Sequence, residues 1–242
     1  MENKKILGVI GGLGPLATAY FMELVIQMTD ARVDQEHLPM IVYNMPMIPD
    51  RTAYILDNSK ENPFPMMLEI GEELSRREVA CIAIPCITAH YFMGGLQAGL
   101  NVPVINGVEE TVAHLKANGI RKVGILATSG TIQSGIFHQE LRRQGLEPIA
   151  PDEQAQKDVM HLIFNNVKAG KPVEMERFFA VEKNLRSKGA EAMILGCTEL
   201  SLIKREKNIG PGFIDAMEVL AREALRTCGK PVKKEYDCLI TK

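Results

Sequence analysis

The chain lacks any strong imbalance of charge. Its 242 residues include 28 Lys and Arg against 30 Asp and Glu, and the basic residues are spread along the sequence without forming a tract. A protein that follows a phosphate backbone needs clustered positive charge. The composition therefore argues against nucleic acid as a partner.

Long apolar runs are also missing. No run reaches the roughly 18 residues that a membrane-spanning helix requires, so we expect no association with a membrane. The mostly apolar residues 6–22 superficially resemble a secretory leader, but they include four glycines and Pro15. The second half of this stretch also has a counterpart deep in the chain, where no leader could act.

Cysteine is scarce and irregularly spaced. The chain has five cysteines, with no Cys-x-x-Cys motif and no Cys/His pair at the spacing of zinc ligands. A chain of this length buries a core without needing cross-links. We therefore expect reduced thiols, a cytoplasmic location and no metal site.

The sequence does contain alternating strand and helix patterns. Residues 5–10 and 40–43 are apolar runs typical of strands, and a glycine-rich turn at residues 11–15 separates the first run from a segment with helical spacing. Such alternation predicts mostly parallel sheets flanked by helices, with ligands beyond the carboxyl ends of the strands. The predicted fold class is therefore α/β.

The second half of the chain repeats the first. Residues 124–130 align with residues 8–14, and the segment around Cys197 aligns with the segment around Cys86 at a similar offset. The repeat predicts two pseudo-symmetric lobes with the active site in the cleft between them. We assign residues 1–102 plus 213–242 to the first lobe and residues 103–212 to the second.

Two cysteines occupy equivalent places in this repeat. Cys86 follows an apolar run that stops at Pro85, and Cys197 follows one that stops at Gly196. Thiols at the carboxyl ends of strands in facing lobes would meet at one cleft. The remaining cysteines are interpreted as small buried hydrophobes: Cys81, Cys228 and Cys238.

Two opposed thiols suit a particular reaction. A thiolate can remove the weakly acidic proton beside a carboxylate if it is held in contact with the carbon, and helix N-termini lower a thiol's pKa. Both Cys86 and Cys197 directly precede predicted helical starts. If one thiolate removes the proton and the other thiol returns one to the opposite face, the carbon inverts, which is racemisation.

Two cations are candidate carboxylate ligands. Arg51 follows Pro49 and Asp50 in a segment that we expect to form a rigid loop, where a guanidinium can hold a carboxylate through two hydrogen bonds. Lys168 precedes Gly170, and from its position alone it is interpreted as a charge at a helix C-terminus. The histidines lack any motif, and His90 is interpreted as an exposed helix residue.

Five motifs together resemble those of the aspartate/glutamate racemase family: residues 11–15 (GGLGP), 48–52 (IPDRT), 85–90 (PCITAH), 127–131 (ATSGT) and 196–200 (GCTEL). The resemblance implies two pseudo-symmetric lobes, no cofactor, an amino acid as substrate and a homodimer. It also implies that Cys86 and Cys197 are the acid/base pair. Glu199, where glutamate racemases usually have His, indicates the aspartate branch.

The resemblance further implies a set of substrate-binding residues. Arg51 and Lys168 would lie near the substrate carboxylates, and the other members of the set are Thr88, Thr128, Thr198, Gly12 and Ile87. Ile87 departs from the family pattern, which has Asn directly after the first cysteine. Ile can neither donate nor accept a hydrogen bond, so weak activity, a changed substrate and no activity all stay open.

Other functions also fit parts of the sequence. Residues 12–17 match the dinucleotide fingerprint G-x-G-x-x-A, but the following strand ends in Asn44 where an acidic residue is needed. A racemase-fold protein that only binds an amino acid is a second alternative. A hydantoin racemase or a related decarboxylase is a third.

Overall fold

The computed structural model describes residues 5–242, and two parallel sheets organise the fold. The strand order is β2-β1-β3 in the first sheet and β5-β4-β6-β7 in the second. Every pairing between these strands is parallel, which confirms the α/β class. The strands are β1 (Leu7–Gly11), β2 (Met40–Asn44), β3 (Cys81–Ala83), β4 (Lys122–Leu126), β5 (Glu147–Ile149), β6 (Ala192–Leu195) and β7 (Phe213–Asp215).

Helices connect the strands and cover both sheets. Across residues 5–242, no helix is at once long enough and apolar enough to cross a bilayer. Helix α8 continues as a π-helical segment over His161–Val167. The helices are α1 (Pro15–Met28), α2 (Arg51–Leu56), α3 (Phe64–Arg76), α4 (Met93–Gly99), α5 (Gly107–Ala117), α6 (Ser129–Ser134), α7 (Ile136–Arg143), α8 (Glu153–Met160), α9 (Met175–Ser187), α10 (Thr198–Glu206) and α11 (Ala216–Thr227).

The predicted repeat is present in the topology. In the first sheet β1 lies between β2 and β3, and in the second sheet β4 lies between β5 and β6. Each central strand leads through a turn into a helix, and the strand on the equivalent side of each sheet, β3 or β6, precedes Cys86 or Cys197. The chain therefore forms two lobes of the same design.

Contacts near residues 104 and 215 show where the chain passes between the two sheets. Val104 still bridges to Ile82 of the first sheet, whereas β7 pairs with β6 of the second sheet. Helix α11 then returns to pack on α1 and β3 of the first lobe. The return crossing thus follows Asp215, two residues beyond the strand start at Phe213. Residues 1–4 of the predicted first lobe lie outside the described range.

One apolar core spans both lobes. It combines side chains from β1, from β4 and from α11, including Val9, Ile125 and Leu220, each fully buried. Burying one such side chain stabilises the fold by about 1.5 to 3 kcal/mol. Because side chains of α11 and of both sheets pack in this core, the two lobes are joined by a shared apolar core.

The turn after β1 is held tightly against the loop after β2. Gly12 has φ +88°, and a Cβ added there would overlap the backbone of Met45 and Pro46. The amide of Met45 donates a hydrogen bond to the carbonyl of Gly11 at 3.0 Å. This contact places the segment that leads to Arg51, so Gly12 supports the site through the backbone.

We expect Gly12→Ala to lower the free energy of unfolding by more than about 3 kcal/mol, because it combines a left-handed φ with a backbone overlap. The matched control is Gly119→Ala. Gly119 has φ +75° but open space around it, so we expect a loss of only about 1 kcal/mol. Urea denaturation of both variants measures the difference. Equal losses would show that the Met45 backbone can move aside.

Candidate active site

Each lobe contributes one cysteine to the same cavity. β3 ends at Ala83 and β6 ends at Leu195, and each cysteine follows after a short connection. Cys86 and Cys197 have extended backbone conformations and immediately precede a helical turn and α10, respectively. Their exposed fractions are 8% and 5%. Both thiols are therefore buried at the carboxyl ends of strands.

A single small cavity lies between the two cysteines. Its volume is about 20 Å³, which is room for roughly one water molecule. The first half of the chain lines it with Leu13, Asp50, Arg51, Thr52, Cys86, Ile87 and Thr88, and the second half with Thr128, Lys168, Cys197, Thr198 and Glu199.

The Cys197 thiol is held by a carboxylate. Its Sγ donates a hydrogen bond to Glu199 Oε2 at 2.9 Å, and Thr198 Oγ1 donates to the same oxygen at 3.3 Å. Burial raises the pKa of Cys197 well above its ordinary value, and the charge and hydrogen bond of Glu199 raise it further. Cys197 is therefore a thiol at neutral pH, with a proton acceptor in contact.

Cys86 has a different environment. Its neighbours include an apolar cluster with Ile84 and Ala89, and no hydrogen bond to its thiol is found within residues 5–242. Its backbone is anchored instead. His90 Nε2 accepts from the amide of Gly107 at 3.1 Å, so Nδ1 carries the proton and donates to the Cys86 carbonyl at 3.2 Å.

His90 is thus a buried structural residue, and the interpretation of an exposed helix residue was wrong. It is 4% exposed, and burial lowers the pKa of His90 to about 4. The ring is neutral at physiological pH, as its two hydrogen bonds require. Its role is to fix the turn that carries Cys86.

Four threonines form a buried hydroxyl cluster beside the thiols. Thr128 Oγ1 accepts from the Thr52 hydroxyl and from the Thr131 amide, both at 3.2 Å. Its proton is then available to Thr88 or Thr131, each 3.1 Å away, and those two hydroxyls are 3.0 Å apart. Both lone pairs of Thr128 are already used. A ligand must therefore replace some of these bonds.

Arg51 begins helix α2, which differs from the rigid loop predicted over this segment. Asp50 caps the helix by accepting from the amide of Ala53. Arg51 Nη1 donates to the carbonyls of Ile48 and Pro49, at 3.0 and 2.8 Å, while the buried Nε has no partner among the described residues. The guanidinium is thus held by the loop that precedes α2, and its Nε–H is a donor that a ligand could use.

Lys168 lies on the opposite wall at the end of the π-helical segment. Its Nζ is 3.7 Å from Glu199 Oε1 and 4.5 Å from the centre of the Phe164 ring. At 3.7 Å the ion pair is longer than a charged hydrogen bond. The ammonium group therefore remains available to an anionic ligand.

A larger cavity of about 600 Å³ adjoins the small one. The two share Asp50, Arg51, Lys168 and Glu199, and the larger one is otherwise lined mainly by apolar groups such as Leu16 and Leu202. We call this larger space the vestibule. It gives a route towards the thiols past the two cations.

Six of the predicted substrate-binding residues line the small cavity, as do both cysteines. The exception is Gly12, which lines the vestibule. The site residues that sequence reasoning did not assign are Leu13, Asp50, Thr52, Thr131 and Glu199, the last of which was read only as a mark of the aspartate branch. Thr52 and Thr131 are the last residues of the motifs IPDRT and ATSGT. Their place in these motifs was the sequence signal that could have identified them. Within residues 5–242, no group of three or more His, Cys, Asp or Glu side chains is arranged to hold a metal.

The two-lobed α/β fold, the internal repeat and the paired thiols are features that can be compared with those of known protein families. Residues 10–224 match the family described as Asp/Glu/Hydantoin racemase. The match covers most of the chain, and the chain belongs to this family.

Individual relatives cover nearly the whole chain. The aspartate racemase of Picrophilus torridus has a similar structure, with a TM-score of 0.84 and 32% identity over 97% of this chain and 99% of that one. The broad specificity amino-acid racemase RacX of Bacillus subtilis is 27% identical over 92% of this chain and 97% of its own length. A glutamate racemase of Corynebacterium diphtheriae is 28% identical over 83% of this chain and 76% of its own.

We expect Glu199→Gln to increase the alkylation rate of Cys197 by iodoacetamide at least about tenfold near pH 8. Removing the carboxylate charge lowers the pKa of Cys197, and one pKa unit changes the thiolate fraction about tenfold. Peptide mass spectrometry of timed samples measures the rate. Cys86 in the same samples is the internal control, since Glu199 does not bond to it. An unchanged Cys197 rate would mean that burial alone keeps the thiol protonated.

Proposed function

We propose that the protein is a cofactor-independent amino-acid racemase whose substrate is aspartate, with glutamate as a possible second substrate. The observation that carries the proposal is the cavity lined by two buried thiols, one from each lobe. Membership of a racemase family supports the reaction type. The similarity to an aspartate racemase over almost the entire chain supports the substrate.

The environments of the thiols suit a two-base reaction. In one direction the Cys86 thiolate removes the α-proton, and the Cys197 thiol, already protonated, supplies a proton to the opposite face. In the other direction Cys197 first needs to lose its proton. Glu199 Oε2, 2.9 Å from the sulfur, is placed to accept it. The Cys197 thiolate then removes the α-proton, and Cys86, which is protonated at the start of this direction, supplies a proton to the opposite face. In each direction one proton leaves the carbon and one is added to it.

The charges near the thiols favour a dicarboxylic amino acid. Arg51 has an unused donor and Lys168 is only loosely paired, so each can bind one carboxylate of aspartate. Such charge-assisted bonds are the strong ones in a buried site. The carboxylate of Glu199 lies between Lys168 and Cys197, where it can also face the substrate ammonium group.

The cavity is too small for aspartate in this closed form. About one water fits beside the thiols, so the lobes or the loop that carries Arg51 must move to admit a substrate. The vestibule leads to the same two cations. We propose that the substrate carboxylates meet Arg51 and Lys168 first, and that closure then brings the α-carbon between the sulfurs.

The resemblance and the composition also support two broader proposals. We propose that the enzyme works in the cytoplasm, which the absence of disulfides among its five cysteines supports. We further propose that it forms a homodimer. Size-exclusion chromatography with light scattering measures the mass of the assembly.

Each cysteine should serve one enantiomer of aspartate. We expect Cys86→Ser to slow exchange of the α-hydrogen from one isomer by at least about a hundredfold and Cys197→Ser to slow exchange from the other, because a hydroxyl is a far poorer base than a thiolate. Proton NMR in deuterium oxide follows each isomer. Cys238→Ser, which removes an exposed thiol outside the cavity, is the control. Equal losses for both isomers in both variants would contradict two-base transfer.

Ile87 tests the substrate assignment. It lines the cavity, is 2% exposed and packs in the core, so it puts an apolar wall where the family has an amide. We expect Ile87→Asn to raise aspartate turnover at least about tenfold, because a hydrogen bond to a charged group contributes about 1.5 to 3 kcal/mol. Ile87→Val, which keeps the wall apolar, should leave turnover within about twofold of the unaltered protein.

The same variants distinguish a second candidate function. The relative with the broad-specificity name, together with the apolar wall at Ile87, favours an enzyme that acts on amino acids with uncharged side chains. If Ile87→Asn fails to raise aspartate turnover while the unaltered protein racemises such an amino acid well, the aspartate assignment is wrong. A panel of amino acids in deuterium oxide provides this comparison.

A further inference from the structure

Two thiols outside the active site are in contact with each other. Cys81 Sγ and Cys228 Sγ are 3.6 Å apart, although 147 positions separate them in the sequence. Cys81 is the first residue of β3, and Cys228 caps the C-terminal end of α11. Neither lines the small cavity or the vestibule. Racemisation at Cys86 and Cys197 makes no use of this pair.

The two sulfurs are not equivalent. Either sulfur can donate in this contact. A hydrogen bond from Cys81 lowers the pKa of Cys228, burial opposes this effect, and the ammonium groups of Lys5 and Lys230 add to it. The same bond and burial raise the pKa of Cys81. Cys228 is therefore the more nucleophilic member. Both thiols are buried, but Cys228 keeps 6% of its surface exposed against none for Cys81.

This arrangement matches the chemistry of a thiol that senses oxidants. Such residues combine thiolate character, some access to solvent and a second cysteine within reach that resolves the first oxidation product. Cys228 provides the first two properties and Cys81 the third. Cys238, by contrast, is exposed, and its sulfur donates a hydrogen bond to Asn118, with no cysteine bonded to it among residues 5–242.

We propose that Cys81 and Cys228 form a reversible disulfide when a hydroperoxide reaches the protein. The Cys228 thiolate attacks the peroxide oxygen, which breaks the O–O bond and leaves a sulfenic acid with release of water or an alcohol once a proton is taken up. The Cys81 sulfur then attacks Cys228, the S–O bond breaks, and a second water leaves with the Cys81 proton. The two thiols lose two electrons, and the peroxide gains them.

Only a short movement separates the pair from a bond. A disulfide has an S–S distance of about 2.05 Å, so the sulfurs must approach by about 1.5 Å. Cys81 is fixed in the sheet by its pairing with Leu7. Cys228 lies at a helix end followed by Gly229, which has φ +70° and open space around it. We therefore expect the end of α11, with Cys228, to move towards Cys81.

The bond would join two parts of the fold that matter for the site. β3 leads directly to Pro85 and Cys86, and α11 follows the strand β7 of the second sheet. A cross-link between them closes a long loop of chain, which restricts the unfolded state. Oxidation should therefore stabilise the folded protein by an amount that thermal unfolding can measure.

The test uses the full chain, first reduced and freed of reductant, then treated with hydrogen peroxide at a dose that oxidises at least one other thiol. Remaining thiols are blocked with iodoacetamide before digestion. We expect a linked peptide pair containing Cys81 and Cys228, lighter by two hydrogens, which dithiothreitol separates. We also expect the melting temperature to rise by about 4 to 8 °C.

Two variants serve as controls. Cys228→Ser should lose both the linked peptides and the rise in melting temperature, and Cys238→Ser should keep both. The identification of linked peptides in the unaltered protein does not depend on the variants, so it tests the proposal even if Cys228→Ser folds poorly. Recovery of Cys81 and Cys228 as separate peptides, while Cys86 or Cys197 is oxidised, would overturn the proposal. These readouts do not depend on racemase activity, so the two proposals fail independently.

Discussion

The buried hydroxyl cluster at the junction of the lobes is the interaction on which the site depends. Thr52 and Thr88 come from the first half of the chain, and Thr128 and Thr131 from the second. A buried hydroxyl without a partner costs about 1 to 3 kcal/mol. Thr128 and Thr131 also bond each other, whereas the hydroxyls of Thr52 and Thr88 are satisfied by the second half of the chain, so the first lobe depends on the second at this point.

The close approach of the lobes at this point has a steric condition. Helix α2 packs on helix α6, and a side chain at Gly130 would come within 3.0 Å of the Thr52 backbone. The absence of a side chain at Gly130 lets the hydroxyls meet. It also brings Arg51, at the start of α2, to the wall of the cavity. The position of Arg51, the cation proposed to bind a carboxylate, thus follows from helix packing.

The two thiols show that the repeat is a symmetry of the backbone and not of the chemistry. Both cysteines have the same strand-to-helix geometry, but Glu199 holds the proton of Cys197 whereas Cys86 is anchored through its carbonyl by His90. In the proposed two-base reaction, this difference makes Cys197 ready to donate a proton for one enantiomer, whereas the other enantiomer requires Cys197 to lose its proton to Glu199 first.

Much of this was predictable from the sequence, and the reason is local. Strand ends and glycine turns are visible in short windows, and the repeat is found by comparing such windows along the chain, so the class, the lobes and the meeting of both cysteines at one cavity followed from pattern. The threonine contacts, the burial of His90 and the contact of Cys81 with Cys228 join residues 17 to 147 positions apart. No window contains such contacts, and only the folded chain reveals them.

A crystal structure with aspartate bound tests the central claim most directly. If the two cysteines act on opposite faces of one carbon, the α-carbon must lie between the sulfurs at near-attack distances of about 3 to 3.5 Å. The account predicts that Cys86 Sγ and Cys197 Sγ are then about 7 to 8 Å apart, with the carboxylates on Arg51 and Lys168. Sulfurs more than about 12 Å apart with aspartate enclosed, or both sulfurs on one face of the carbon, would contradict it.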